Sequence, residues 1–98
     1  MSDNIVVVNN EARHRYEITI DGVTAYAMYR LEPGVITFYH TVVPDALGGR
    51  GIGSKLVVAA LDASRAAGLK VRPECPFFAA YIRKHPEYQD LVSANFKY

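Results

Sequence analysis

Four glycines fall within six positions, Gly48, Gly49, Gly51 and Gly53, with Arg50 among them and Ser54 directly after. They separate a β-branched run, Val35 to Val43, from a run of helical period, Ile52 to Ala67. Glycine lets the backbone turn sharply and lets a ligand come close to bare N–H groups. The first turn of a helix carries unpaired donors and the positive end of the dipole. A strand, a glycine-rich turn and a helix N-terminus together make an anion site, most often for phosphate. Two residues flanking the loop can also do chemistry. His40 lies near the end of the preceding strand, and an imidazole titrating near neutrality suits a general base. The alternative is a strand histidine bonded to a neighbour. Cys75, the single cysteine, follows the short run Leu69 to Arg72. It reads as a nucleophile, as a residue lining the site, or as a small buried hydrophobe.

Two familiar phosphate loops fail on spacing. A Walker loop ends Gly-Lys-Ser/Thr, whereas Gly53-Ser54-Lys55 reverses the last two residues. The dinucleotide fingerprint Gly-x-Gly-x-x-Gly belongs in a first strand-to-helix turn. Gly49-Arg50-Gly51-Ile52-Gly53 is one residue short and follows several strands.

The elements that must position these residues read as follows. Ile5 to Val8 predicts a first strand. Tyr16, Ile18 and Ile20 alternate with Glu17, Thr19 and Asp21, which predicts a half-buried second strand. Asp21-Gly22 is a hairpin signal, Val23 to Leu31 the return strand, and Glu32-Pro33-Gly34 a further turn into the fourth strand. Ile52, Leu56, Ala59, Ala60, Ala63 and Ala67 predict the buried stripe of the first helix, closed by Gly68. Leu69 to Arg72 predicts a strand parallel to the fourth. Phe77 to Lys84 predicts a second helix, with Phe77, Ala80, Tyr81 and Lys84 on one stripe, stopped by His85-Pro86. Glu87 to Tyr98 reads as a short turn or as a tail packed on the sheet.

Arg50-Gly51-Ile52-Gly53, after Val42-Val43-Pro44 and ahead of a helix, resembles motif A of the GNAT superfamily of N-acetyltransferases, Gln/Arg-x-x-Gly-x-Gly/Ala. Gly51 and Gly53 match its small positions. Gly48 stands where the family has Gln or Arg, which removes one side chain and leaves the backbone cradle. With His40 to Pro44, Cys75-Pro76-Phe77 and Tyr81 to Tyr88, the chain is similar to a short GNAT-like subgroup of roughly one hundred residues.

That resemblance implies an α/β fold: a minimal GNAT-type mixed sheet, with an antiparallel meander, a βαβ unit and a second helix. It implies acetyl-CoA as the acyl donor and an amine acceptor, a protein lysine or another exposed amine. Backbone N–H groups of Leu47, Gly48, Gly49, Arg50, Gly51, Ile52, Gly53 and Ser54 are then expected to hold the pyrophosphate. The pantetheine arm pairs with the strand edge at Tyr39 to Val43, including Val42 and Val43, in a gap between the fourth and fifth strands. Tyr81 falls where many members carry a tyrosine that protonates the departing thiolate; as a bare pattern it reads as packing beside Phe77 and Phe78. Typical members carry two helices between their first strands, which wall the acceptor site. Nothing before Val43 has helical period, so the acceptor side is expected to be open. The competing reading is a module that binds acetyl-CoA with weak or no turnover.

Length and composition bound the rest. The chain of 98 residues predicts one domain, 1–98. Eleven basic and ten acidic residues give a net charge of +1, which does not indicate nucleic acid or an anionic membrane as partner. No apolar run approaches the ~20 residues that span a bilayer. Met1-Ser2-Asp3-Asn4 lacks a basic region leading into an apolar one, and a lone thiol fits a reducing compartment, so a cytoplasmic location is expected. No metal site is expected. Exposed strand edges in so small a sheet predict a monomer or a weak dimer.

Overall fold

In the computed structural model, described over residues 5–98, the expected alternation folds into one five-stranded sheet of order β1-β2-β3-β4-β5. The strands are β1 (Val8–Asn10), β2 (Arg15–Ile20), β3 (Val23–Glu32), β4 (Val35–Val42) and β5 (Lys70–Pro73). The first four form an antiparallel meander, and β5 joins β4 in parallel. The connection between β4 and β5 is helix α1 (Ile52–Ala66), and helix α2 (Pro76–Lys84) follows β5. This is the minimal GNAT-type architecture. At the Asp21-Gly22 hairpin both residues take positive φ, 52° and 77°, so the turn twists with its strands.

The start of β1 and the buried face of α1 differ from the sequence reading. The first ladder begins at Val8 rather than Ile5. Ile5 and Val7 instead are partly buried against the core and line one groove with Val58 and Ala59 of α1. The buried stripe of α1 is Ile52, Leu56, Val57, Ala60, Leu61 and Ser64, with Ala67 exposed. The larger Val57 and Leu61 bury more apolar area than Ala59 and Ala63, and this sets the helix rotation. Ser64 meets its buried hydroxyl's needs by donating to the Ala60 carbonyl at 2.8 Å.

The core lies on the helix-covered face of the sheet. Phe38 of β4 stacks on Phe78 of α2 with ring centroids 4.4 Å apart and planes 10° from parallel. Tyr16 and Tyr29 flank the same ring. The stripe Phe77, Ala80, Tyr81 and Lys84 is not the buried one; α2 buries Phe78, Ala79 and Ile82. Past α2 a 3-10 turn, Pro86–Leu91, ties back through the Tyr88 hydroxyl, which donates to Asp62 at 2.8 Å. Val92 then bridges Val71 of β5 in parallel. Both readings of the C-terminal stretch therefore hold, a turn followed by a segment packed on the sheet. Between β1 and β2 stands only a 3-10 turn, Glu11–Arg13. Among the described residues no helix is long and apolar enough to cross a membrane.

Candidate active site

The ladder between β4 and β5 is short. Val35 to Phe38 face Lys70 to Pro73, and the Cys75 amide adds one more bond, to the Phe38 carbonyl at 2.9 Å. Pro73 has no N–H, and Pro76 opens α2, so the chain turns away from β4. From Tyr39 to Val42 the β5-facing edge of β4 has no strand partner among the described residues. The two strands diverge there.

A β-bulge sits at the point of divergence. Met28 pairs with His40 and Tyr29 with Phe38, which leaves Tyr39 as an extra residue on β4. An inserted residue inverts the side-chain alternation beyond it. Thr41, opposite the buried Ala27, thereby joins the core face. His40, opposite Met28, is placed on the face without helices and is exposed. Without the bulge, His40 would share the face of Phe38.

Past Val42 the chain enters a 3-10 turn, Asp45–Leu47, whose Leu47 plugs into the core at 2 % exposure and anchors the loop. Gly49 and Gly51 take φ of 77° and 69°, a conformation that glycine adopts without strain. Gly48 is extended, and its amide closes the turn on Asp45 at 3.0 Å, as the Leu47 amide does on Pro44 at 2.8 Å. These two expected donors are therefore taken. The amides of Gly49, Arg50, Gly51, Ile52, Gly53 and Ser54 have no protein acceptor among the described residues. Six neighbouring free N–H groups at a helix N-terminus are chemically suited to an anion. Arg50 is exposed beside them.

Gly53 has a second duty. A Cβ built on it would lie 2.5 Å from Cζ of Phe77, so the missing side chain makes room for that ring. The outward stripe of α2 consequently faces the start of α1. Ser54, Phe77, Ala80, Tyr81, Lys84 and His85 line one groove of about 410 Å³. Tyr81 is half-buried there and stacks on His85 at 3.8 Å, while His85 Nδ1 bonds to the Tyr81 carbonyl at 2.8 Å.

Cys75 is the N-cap of α2, 4 % exposed, with Sγ 3.3 Å from Thr41 Oγ1. The structure thus brings Cys75 to Thr41 across the gap and Tyr81 to Ser54 across the groove. It does not bring His40 to Cys75, because the bulge sends them to different faces. Thr41 and the Phe77–Gly53 contact were not singled out from the sequence. The bulge that presents Thr41 has no marker in the sequence, whereas the adjacent Phe77-Phe78 pair does signal that only one ring can face the core of a helix.

The open face continues from His40 toward β3 and β2. The Arg30 guanidinium lies 4.5 Å over the Tyr39 ring and pairs with Glu74 at 3.1 Å. Arg15 lies 4.4 Å over Tyr26 and also bonds Glu17, holding that carboxyl below the usual carboxylate range.

The chain is similar to known proteins. Residues 15–91 match the model of a family described as GCN5-related N-acetyl-transferase. The chain is 30% identical over 93 residues to Protein NATD1 of Xenopus tropicalis, covering 92% of this chain and 85% of that protein. With Protein NATD1 of Homo sapiens it shares 31% identity over 90 residues, covering 89% and 80% of the two chains. The solution structure of a GCN5-like candidate N-acetyltransferase from Staphylococcus aureus superposes with a TM-score of 0.73 at 30% identity, covering 94% of this chain and 91% of that one. Glycine loop, diverging strands and family model agree along most of the sequence: the chain belongs to the GCN5-related N-acetyltransferase family.

Proposed function

We propose that this protein transfers an acetyl group from acetyl-CoA to an exposed amine, a protein lysine or a similar primary amine. The observation that carries the reading is the row of six unpaired amides, Gly49 to Ser54, beside the unpaired β4 edge. The amides suit a pyrophosphate, Arg50 and Lys84 add positive charge near it, and the edge from Tyr39 to Val42, continuing to Val43, suits a peptide-like arm. Bound there, acetyl-CoA supplies an activated thioester carbonyl.

The chain's own groups divide the remaining work by face. In this reading His40, on the open face, takes the proton from an arriving ammonium. Cys75 and Thr41 line the gap on the core side. Tyr81 offers a hydroxyl along the groove for the departing thiolate. A bare sheet face in place of walls admits an amine carried on a large partner better than a small molecule enclosed on all sides.

The separation of His40 from Cys75 supports the second reading, a binding module without turnover. In that case acetyl-CoA binds and nothing is transferred. Thermal melting with acetyl-CoA, followed by mass spectrometry of the protein and of lysine peptides, tests both readings. Enzyme function predicts a raised melting temperature by mass action and acetylated peptide. A raised melting temperature without acetylated peptide selects the module, and no shift at saturating acetyl-CoA overturns both.

A further inference from the structure

Helix α1 buries one side against the sheet and leaves the other largely open. On the outer side stand Lys55, Val58, Ala59 and Asp62. Their spacing of i, i+3, i+4 and i+7 puts them on one stripe. Val58 and Ala59 are half-buried, whereas Lys55 and Asp62 are exposed. Ile5 and Val7 stand beside the stripe, and together they line an open groove of about 700 Å³. Ser54 is the one residue this groove shares with the groove along α2. The stripe from Lys55 to Asp62 is therefore distinct from the proposed acetyl-CoA site.

The stripe has a centre. Lys55 stands three positions before Val58, and Asp62 three positions after Ala59. One cation and one anion thus flank the apolar pair symmetrically, about 10 Å apart along the axis. At that separation they do not pair with each other. Neither has an ion-pair partner elsewhere among the described residues. Asp62 accepts the Tyr88 hydroxyl at Oδ1, which leaves its other oxygen for a further donor. Lys55 stands one turn into α1, toward the positive end of the dipole, where a cation gains nothing from the helix itself.

A second copy of the chain, laid antiparallel against this stripe, satisfies both charges at once. A two-fold axis between Val58 and Ala59 sets Lys55 of each copy against Asp62 of the other. The apolar pairs of the two copies meet in the middle. Each copy then offers the same patch, as a two-fold interface requires. Parallel docking would oppose lysine to lysine and aspartate to aspartate, so charge selects the antiparallel arrangement. The small Ala59 at the centre allows the two axes to approach to about 8–10 Å. Ile5 and Val7 add an apolar wall beside each helix. A contact of two helical turns is smaller than a standard interface of about 800 Å² per partner, so the pair is weak.

We infer that the outer stripe of α1 is a homodimer interface, in which the helix pairs antiparallel with that of a second copy through reciprocal Lys55–Asp62 ion pairs around Val58 and Ala59. The inference is independent of the acetyl-transfer reading.

The test is sedimentation of the whole chain from about 10 μM to 1 mM, the span over which weak pairs form. Wild type is expected to pass from monomer to dimer within it. Lys55→Glu and Asp62→Lys each place like charges at both contacts, and each should weaken the dimer at least about tenfold. An equal mixture of these two variants restores opposite charges at both contacts, and should dimerise at least as tightly as wild type. Asp62→Lys also removes the acceptor of Tyr88, so melting curves are recorded for every variant. Asp62→Asn keeps an oxygen for Tyr88 and should weaken the dimer severalfold, which decides the matter if Asp62→Lys does not fold. A monomer throughout the range overturns the proposal. So does a dimer that Lys55→Glu leaves intact, which would place the contact elsewhere, or a mixture of folded variants that stays monomeric.

Discussion

Cys75 Sγ stands 3.3 Å from Thr41 Oγ1, so a side-chain hydrogen bond spans the two elements that part company after Phe38. The thiol is 4 % exposed and is reached through the opening that the donor arm is proposed to enter. A thiol reagent should therefore label Cys75 at least about tenfold more slowly in the native protein than in urea, since reactivity requires access to the thiolate. Saturating CoA should slow it further. Native labelling at the unfolded rate, or labelling indifferent to CoA, would contradict this placement.

His40 faces solvent on the helix-free side. Its replacement by alanine should leave the urea midpoint within about 0.5 kcal/mol of wild type, as expected for an exposed position. Turnover on a lysine peptide should fall by roughly a hundredfold or more if the imidazole is the base. Loss of acetyl-CoA binding in this variant, in place of loss of turnover, would assign His40 to the donor instead.

Gly53 and Phe77 form a pair whose coupling can be measured. Ala exceeds Gly in helix propensity by about 1 kcal/mol, yet the new methyl group would meet the Phe77 ring at 2.5 Å. Gly53→Ala should be neutral or destabilising in the native background and stabilising by about 1 kcal/mol once Phe77→Ala has removed the ring. Equal effects in both backgrounds would show that the ring moves aside without cost.

Gly51 caps α1 at φ 69°. Gly51→Ala should cost about 1–2 kcal/mol, the usual penalty for an L-residue in that region. The acetyl-CoA melting shift should shrink as well, because the cradle amides would be turned. Gly68→Ala provides the control: at φ 72° it carries comparable strain but lies at the far end of the helix, and it should lower stability and leave the melting shift intact.

Tyr88 supplies a pH dependence. Burial, with the Asp62 carboxylate accepting the hydroxyl's hydrogen bond, pushes its pKa up to about 12. Its unfolded value is near 10. The stabilisation is therefore fully present below pH 10 and is lost as pH rises through 12, because the unfolded chain ionises first. Tyr88→Phe should lose about 1 kcal/mol at pH 8 for the missing hydrogen bond. The gap between wild type and variant, read from urea midpoints, should narrow steadily between pH 10 and 12. A constant gap would show that the hydroxyl is not coupled to folding.

The sheet order and both helices were legible because period, turn residues and proline stops all agree in Tyr16–Arg72 and in Pro76–Lys84. The glycine turn into α1 was legible for the same reason, since glycine type and helix onset are both local signals. The faces of the two helices were less so. Apolar spacing in α1 admits several rotations until Val57 and Leu61 are weighed by size, and in α2 the choice between Phe77 and Phe78 depends on where Phe38 lies. The relation of His40 to Cys75 was beyond reach, because it depends on one inserted residue, Tyr39, whose bulge arises from long-range pairing with β3 rather than from any local preference.

Val92 lies alongside Val71 on the outer margin of β5, and the Ser93 amide donates to the Val71 carbonyl at 2.8 Å. The middle of that margin is thereby occupied by the chain's own backbone. An incoming strand would have to peel this segment away before it could add to the sheet beside Val71.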